Sequence, residues 1–258
     1  MSAAEPRTAF VTGGSGFIGG RLIERLAGEG WTVKALARSE ASAQAVREKG
    51  AEPVRGDLDD VSVMRAGANG CEVAFHAAAK VEAWGPWEDF ARVNVAGTHN
   101  ALRAAREAGV RRFVHVGTEA ALLDGRPLVN ADERAALRPD SPAPYSASKA
   151  LAEQAVRQAS EEGFETEPVV FRDFVSELLG TQGVDAPEAS VPTPLAGAAA
   201  RAVEALWRAT NRDGDPPLTR FVVWVSSQEC TLDISKARRE LGYAPVKSRA
   251  EGMAELRG

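Results

Sequence analysis

The sequence predicts an α/β fold: a doubly wound parallel sheet followed by a small C-terminal lobe. Three observations carry this. Short apolar, β-branched runs alternate with helical patterns through the first half of the chain. The runs are continuously apolar, as strands covered by helices on both faces must be. A glycine-rich turn joins the first run to the first helix, the place where a parallel sheet of this kind receives a ligand.

Taken in order, TAFVTG (8–13) reads as the first strand, with a helix starting at Phe17. TVKALA (32–37) and EPVRG (52–56) are the second and third strands, separated by another helical stretch, and EVAFHA (72–77) is the fourth. A helix is expected from Trp87 to Ala108, stopped by Gly109, before RRFVHVG (111–117) forms the fifth strand. Residues 121–144 hold four prolines and no lasting periodicity, which predicts a surface loop over the strand ends. The helix that follows carries PYSASK (144–149). Beyond it come VVFRDF (169–174), a helix through Leu179, a Pro/Gly-rich connector, an Ala-rich helix (194–207), FVVWVS (221–226) and DISKARRELGY (233–243). The expected division is a first domain over 1–172 and a reduced C-terminal lobe over 173–258.

Composition removes several classes of function. The chain has 258 residues, 44% of them hydrophobic and 26% charged, enough to bury a full core without disulfides or a metal. A net charge of −5 with interspersed signs provides no field for a nucleic-acid backbone or an anionic membrane. The two cysteines, Cys71 and Cys230, have no CxxC spacing and suit a reduced, cytoplasmic setting. The N-terminal residues lack the apolar run of a signal peptide, and the Ala-rich helix is too short and too charged to span a bilayer. The three histidines share no ligand spacing, so no metal is expected.

The turn TGGSGFIGG places Gly13, Gly16 and Gly19 at three-residue intervals between a strand and a helix. That spacing allows a tight turn, close approach of a pyrophosphate and close helix–strand packing, while the N–H groups of Phe17 and Ile18 open the helix with partial positive charge. It predicts a cradle for a nicotinamide dinucleotide in a Rossmann-type sheet. The second strand ends LARSE, with Arg38 where an NAD site would hold an acid, which favours NADP, with NAD the alternative through Glu40. In GDL (56–58), Asp57 can accept from the adenine amino group, with Leu58 beside it, or cap the next helix.

Tyr145 and Lys149 lie four residues apart on one helix face, so the ammonium can favour the phenolate and lower the phenol's pKa toward neutrality. Together with HAAA (76–79), NVAGT (94–98) and VGTEA (116–120), these motifs resemble the extended short-chain dehydrogenase/reductase family. Within that family the chain is most similar to the 3β-hydroxysteroid dehydrogenase-like and NAD-dependent epimerase/dehydratase branches. The resemblance implies that Tyr145 is the acid/base and that Lys149 also binds the nicotinamide ribose. It implies that Thr118 steadies the substrate oxygen and that Asn94 supports a proton relay through water, although a buried asparagine bonding backbone is the alternative. His76, Ala77 and Ala78 line the cofactor cleft in this reading, His76 through its backbone. Trp84 and Trp87 either wall a substrate pocket or plug the core.

The pattern breaks after the Tyr145 helix. The chain passes from SEEGFETE (160–167) directly to PVVFRDF, where relatives carry more of the substrate lobe, so some tens of residues are absent. VVFR can serve as a sixth strand, with Asp173 where the family has proline. The expected activity is hydride transfer between NAD(P) and a small, sterol-like alcohol or ketone. The alternatives are epimerisation or dehydration of a nucleotide sugar, and a catalytically silent dinucleotide-binding module. A homodimer is implied by resemblance only.

Overall fold

The computed structural model describes residues 7–161, 163–170, 192–210, 214–228 and 230–242. The chain divides into two units, one of residues 1–121 with 137–170, the other of 122–136 with 171–258.

The first unit is a six-stranded parallel sheet. Its strands are β1 (Thr8–Thr12), β2 (Thr32–Ala37), β3 (Ala51–Arg55), β4 (Val73–His76), β5 (Arg112–Gly117) and β7 (Glu165–Val170), with β6 (Leu128–Ala131) belonging to the other unit. Their order is β3-β2-β1-β4-β5-β7, and every pairing is parallel. Chain direction across the sheet reverses between β1 and β4, and the carboxyl ends of those strands frame the crevice such sheets use for ligands. Both edge strands carry a proline, Pro53 in β3 and Pro168 in β7, where a missing N–H does least harm to the ladder.

Period-two alternation explains how the sheet is covered. From β1, Phe10 joins a core with Leu36, Met64, Leu102, Phe113 and Val156, while its neighbours Ala9 and Val11 join a separate core with Ile23, Leu26, Val33 and Val46. The second core lies under α1 (Phe17–Gly28) and α2 (Glu40–Glu48), the first under α3 (Val61–Ala68), α5 (Gly97–Glu107) and α6 (Pro144–Gln158). The expected helix from Trp87 to Ala108 forms as three contiguous pieces: α4 (Trp87–Phe90), a π-helical stretch over Ala91–Ala96, and α5. The π stretch was not legible in the sequence and it contains Asn94.

The anticipated sixth strand is present, shifted upstream to Glu165–Val170 and in register with β5 up to Gly117↔Val170. Arg172, Asp173 and the helix expected through Leu179 lie outside the described residues. In the second unit, the segment expected to be loop carries a strand, β6 (Leu128–Ala131), paired in parallel with β8 (Cys230–Leu232). The turn-rich text concealed this strand because its partner lies about a hundred residues away. That unit also contains α7 (Thr193–Thr210), α8 (Arg220–Ser227) and α9 (Ser235–Leu241). FVVWVS is therefore helical, begun by the Thr219 hydroxyl accepting from Val222 N–H at 3.1 Å. Glu204 of α7 is buried and accepts from Arg220 at both backbone N–H (2.7 Å) and Nε (2.8 Å). Among the described residues no helix is long and apolar enough to cross a membrane.

Candidate active site

The β1–α1 turn is built so that only glycine fits. Gly13 has φ +74°, and a Cβ there would lie 2.5 Å from Ala78 N and 2.6 Å from Ala77 C, which are backbone atoms of the segment leaving β4. A Cβ on Gly19 would collide with the Gly13 carbonyl. The glycines thus serve packing of strand, helix and the following β4 turn. Gly16 differs: it is the N-cap of α1, in an extended conformation (φ −81°, ψ 175°), and its Cβ would meet only the Gly13 oxygen, at 3.3 Å. No side chain caps α1, whereas α2 and α3 are capped by Ser39 and Asp60. The turn therefore leaves a helix N-terminus suited to an anion, and the residues present fit a pyrophosphate. Phe17 is exposed at this end and Ile18 half-buried.

At the end of β2, Arg38 is exposed and has no ion partner among the described residues. Its neighbours are occupied. Ser39 accepts from Ser42 N–H at 3.1 Å in a capping box, and Glu40 receives Arg47 at 3.0 Å and lies 4.0 Å from Arg55. After β3, Asp57 does not cap α3; Asp60 does, accepting from Val63 N–H at 3.0 Å. Among the described residues, the exposed Asp57 carboxylate accepts only its neighbour Leu58 N–H, at 2.7 Å. Leu58 itself is buried in the core, and its carbonyl accepts from Asn100 at 3.0 Å.

His76 ends β4 with its ring buried. Nδ1 is 2.7 Å from the Thr12 hydroxyl and Nε2 is 3.1 Å from the Thr98 hydroxyl. Thr98 spends its single proton on the Asn94 carbonyl at 2.6 Å, so His76 donates from Nε2 and accepts at Nδ1. Burial first, then the Lys149 charge, pushes its pKa down to about 3. Ala77 and Ala78 contact Gly13 through their backbones.

Asn94 is fully engaged with protein. Its Oδ1 accepts from Lys80 N–H at 2.7 Å, and Nδ2 donates to Lys80 O at 3.1 Å and to Ser148 Oγ at 2.9 Å. Ser148 in turn donates to the Tyr145 carbonyl at 2.9 Å. The π turn thus seats an amide that ties the post-β4 segment to the first turn of α6.

Pro144 starts α6, pre-set for a first helical position, and small residues Ser146, Ala147, Ser148 and Ala150 let this turn bury against its neighbours. The Tyr145 phenol is hydrogen-bonded to the Thr118 side chain just beyond β5. Burial raises its pKa, Thr118 opposes this, and the Glu119 carboxylate raises it further. Lys149 is not among these influences, which differs from the expectation that its ammonium draws the phenol down. Its Nζ is turned to β5 instead, donating to Val116 O at 2.8 Å and lying 3.2 Å from His115 Nε2. Desolvation lowers the Lys149 pKa to about 8, and Glu153, one turn on, opposes it.

Two residues here went unread in the sequence. Glu119 accepts from Thr118 Oγ1 at 3.2 Å, placing a carboxylate beside the hydroxyl pair. His115 reads from the sequence only as part of the RRFVHVG strand, yet it meets Lys149. The signal was available in the alternation of β5, where His115 shares a face with Phe113 and Gly117. Trp84 is half-buried and Trp87 exposed in and after the post-β4 segment.

The fold agrees with comparisons to known proteins. A 4-hydroxy-2-methyl-3-oxo-4-farnesyl-3,4-dihydroquinoline-1-oxide ketoreductase of Stigmatella aurantiaca is 36% identical, the match covering 96% of this chain and 95% of that one. It extends over 317 positions against the 258 residues here, so that relative carries internal stretches without counterpart in this chain. A decarboxylating sterol-4-alpha-carboxylate 3-dehydrogenase of Dictyostelium discoideum is 25% identical, covering 97% of this chain and all of its own length (100%). Among solved structures, a short-chain dehydrogenase/reductase superfamily protein from Agrobacterium tumefaciens with bound NAD is 26% identical with a TM-score of 0.55, over 81% of this chain and 64% of that one. The pattern of one family spans residues 9–213, from β1 through the Tyr145 helix and beyond it, and on that match the chain belongs to the NAD dependent epimerase/dehydratase family.

Proposed function

We propose that this protein is an NADP-preferring ketoreductase for a small apolar ketone, working reversibly on the corresponding alcohol. The observation that carries the reading is the Tyr145–Thr118 hydroxyl pair at the carboxyl end of β5, with the Lys149 ammonium buried one helical turn along α6. The two hydroxyls converge, so one substrate oxygen can sit between them. Tyr145 gives that oxygen a proton during reduction and takes it back during oxidation, while Thr118 holds the oxygen as its charge changes.

The bound nicotinamide dinucleotide supplies or accepts the hydride. Gly13, Gly16 and Gly19, with the N–H groups of Phe17 and Ile18, would hold its pyrophosphate, and Asp57 its adenine. Arg38 would bind a 2′-phosphate. That preference is supported by Ser39 being used as a cap and Glu40 being drawn to Arg47, which leaves no acid for a ribose diol. The names of the Stigmatella and Dictyostelium relatives support an apolar, ring-bearing ketone or alcohol. Residues 1–172 would form the dinucleotide domain and 173–258 a reduced substrate lobe. Two cysteines with no CxxC spacing, Cys71 and Cys230, accord with a reduced, cytoplasmic setting.

Parallel titration with NADPH and NADH, followed by a ketone panel with the tighter one, tests this reading. Expected are tighter NADPH binding, turnover of a cyclic ketone, and loss of turnover with retained nucleotide binding in Tyr145→Phe. Absence of binding to both nucleotides, or a Tyr145→Phe enzyme as active as wild type, refutes it. Conversion of a nucleotide sugar without net nucleotide oxidation would assign the epimerase or dehydratase chemistry instead. Binding without turnover of any panel member would leave a silent dinucleotide module.

A further inference from the structure

The Lys149 head group sits against β5, where two acceptors are within reach. The Val116 carbonyl takes one N–H at 2.8 Å and His115 Nε2 lies at 3.2 Å, and both Lys149 and His115 are buried. An ammonium can only donate. Its imidazole neighbour must therefore present a bare nitrogen, which puts the His115 proton on Nδ1. That atom is buried and has no hydrogen-bond partner among the described residues. A stranded buried donor is costly, and the opposite tautomer would avoid it only by setting two donors face to face at 3.2 Å. The ring cannot escape by protonation, since burial and the Lys149 charge hold its pKa well below the usual histidine range.

His115 is also held in orientation. It stacks on His76 with ring centroids 5.5 Å apart and planes 25° from parallel. His76 is anchored by Thr12 and Thr98 in the opposite tautomer, with every ring nitrogen satisfied. Two neutral imidazoles thus form a buried layer beneath Lys149, one saturated and one keeping a free lone pair for the ammonium.

We propose that His115 is a positioning residue for Lys149: as a neutral Nδ1–H imidazole it accepts one ammonium hydrogen through Nε2 and, with the Val116 carbonyl, fixes the head group so that a single N–H remains for whatever binds above it. This rests on the reading of Lys149 as a cofactor-binding lysine. A lysine side chain has four rotatable bonds and loses rotamer freedom when ordered. Two acceptors on one rigid strand settle that ordering before the nucleotide arrives. They also favour the charged form. The ionisable groups whose charge reaches the pair are His76 from β4 and Glu153 from the next turn of α6, itself paired with Arg157, and only Glu153 supports the ammonium.

The test uses the full chain with His115→Phe, which keeps an aromatic ring on His76 and removes the acceptor, and His115→Gln, whose amide reaches as far as Nε2. Expected for His115→Phe is about tenfold weaker NADPH binding at pH 7, as for loss of a hydrogen bond to a charged group. The alkaline limit of binding should move to lower pH, because the ammonium has lost an acceptor. His115→Gln should recover most of both. A merely structural role would lower thermal stability without moving the pH limit. His115→Phe with wild-type affinity and an unmoved alkaline limit overturns the proposal. Should that variant not fold, 15N spectra of histidine-labelled wild-type protein decide: a Nδ1–H tautomer for His115 supports the proposal and a Nε2–H tautomer refutes it. The spectra also separate the two readings, because they report on the His115–Lys149 contact even if wild-type protein binds no nucleotide.

Discussion

Gly16→Ala and Gly13→Ala should separate packing from ligand approach. At Gly13 an alanine faces two costs. Its φ of +74° is a left-handed conformation costing an L-residue about 1–2 kcal/mol. Its Cβ would also sit 2.5–2.7 Å from backbone atoms of Ala77 and Ala78, nearly 1 Å inside ordinary contact, and backbone cannot swing aside as a side chain can. Overpacking of this kind costs a further 1–3 kcal/mol or so. The total of about 2–5 kcal/mol corresponds to a fall in Tm of roughly 5–15 °C for a chain of this size. At Gly16 the backbone is extended and the new Cβ meets one oxygen at 3.3 Å, so the cost is that of a poorer N-cap, about 0.5–1 kcal/mol, or a few degrees. Yet the same methyl group stands at the uncapped end of α1, where the pyrophosphate is to approach. Thermal unfolding without nucleotide and fluorescence titration with NADPH measure the two effects separately. Gly13→Ala should melt early, whereas Gly16→Ala should melt near wild type and bind more than tenfold more weakly. A stable Gly16→Ala protein with unchanged NADPH affinity would refute the cradle, and a Gly13→Ala protein as stable as wild type would refute the packing argument.

Arg38→Ala should weaken NADPH by about tenfold, the worth of a charge-assisted phosphate contact, and leave NADH unchanged, which parallel titrations read directly. Glu119→Gln should move the rising, acid-side limb of alcohol oxidation to lower pH, since Tyr145 must be deprotonated to act as base and the carboxylate raises its pKa; an unmoved pH–rate profile would exclude Glu119 from the site's electrostatics. Acid stability should follow the buried histidines. The pKa of His76 is about 3 folded and near 6.5 unfolded, so the unfolded chain binds more protons between those values. Its contribution is whole above pH 6.5 and is lost as pH falls toward 3, amounting to about 2 kcal/mol between pH 7 and pH 5, with His115 acting in the same direction. Urea unfolding at the two pH values measures this, and a His76→Gln protein should lose less than wild type over the same interval.

The sequence by itself determined the sheet and the glycine turn. Strand and helix periods, the Gly13–Gly16–Gly19 spacing and the Tyr145–Lys149 pair are local facts, set by steric and hydrogen-bonding rules that act within a few residues. The expected strands β1 to β5 stand where apolar runs placed them, and the motif residues fall at the carboxyl ends of the strands or the starts of helices. What only the tertiary structure decided involves partners distant in the chain. β6 is a strand because β8 pairs with it, and no local pattern in a proline-rich stretch could announce that. Asp57 and Asp60 compete for one cap, and the turn after β3 gives it to Asp60. The direction of the Lys149 head group is the deepest such case. Helical spacing set it beside the Tyr145 phenol, but the carbonyl of Val116 and the lone pair of His115, brought under α6 by the β5 crossover, hold it against the sheet. Buried charge goes to the acceptors nearest in space, and sequence distance does not measure that.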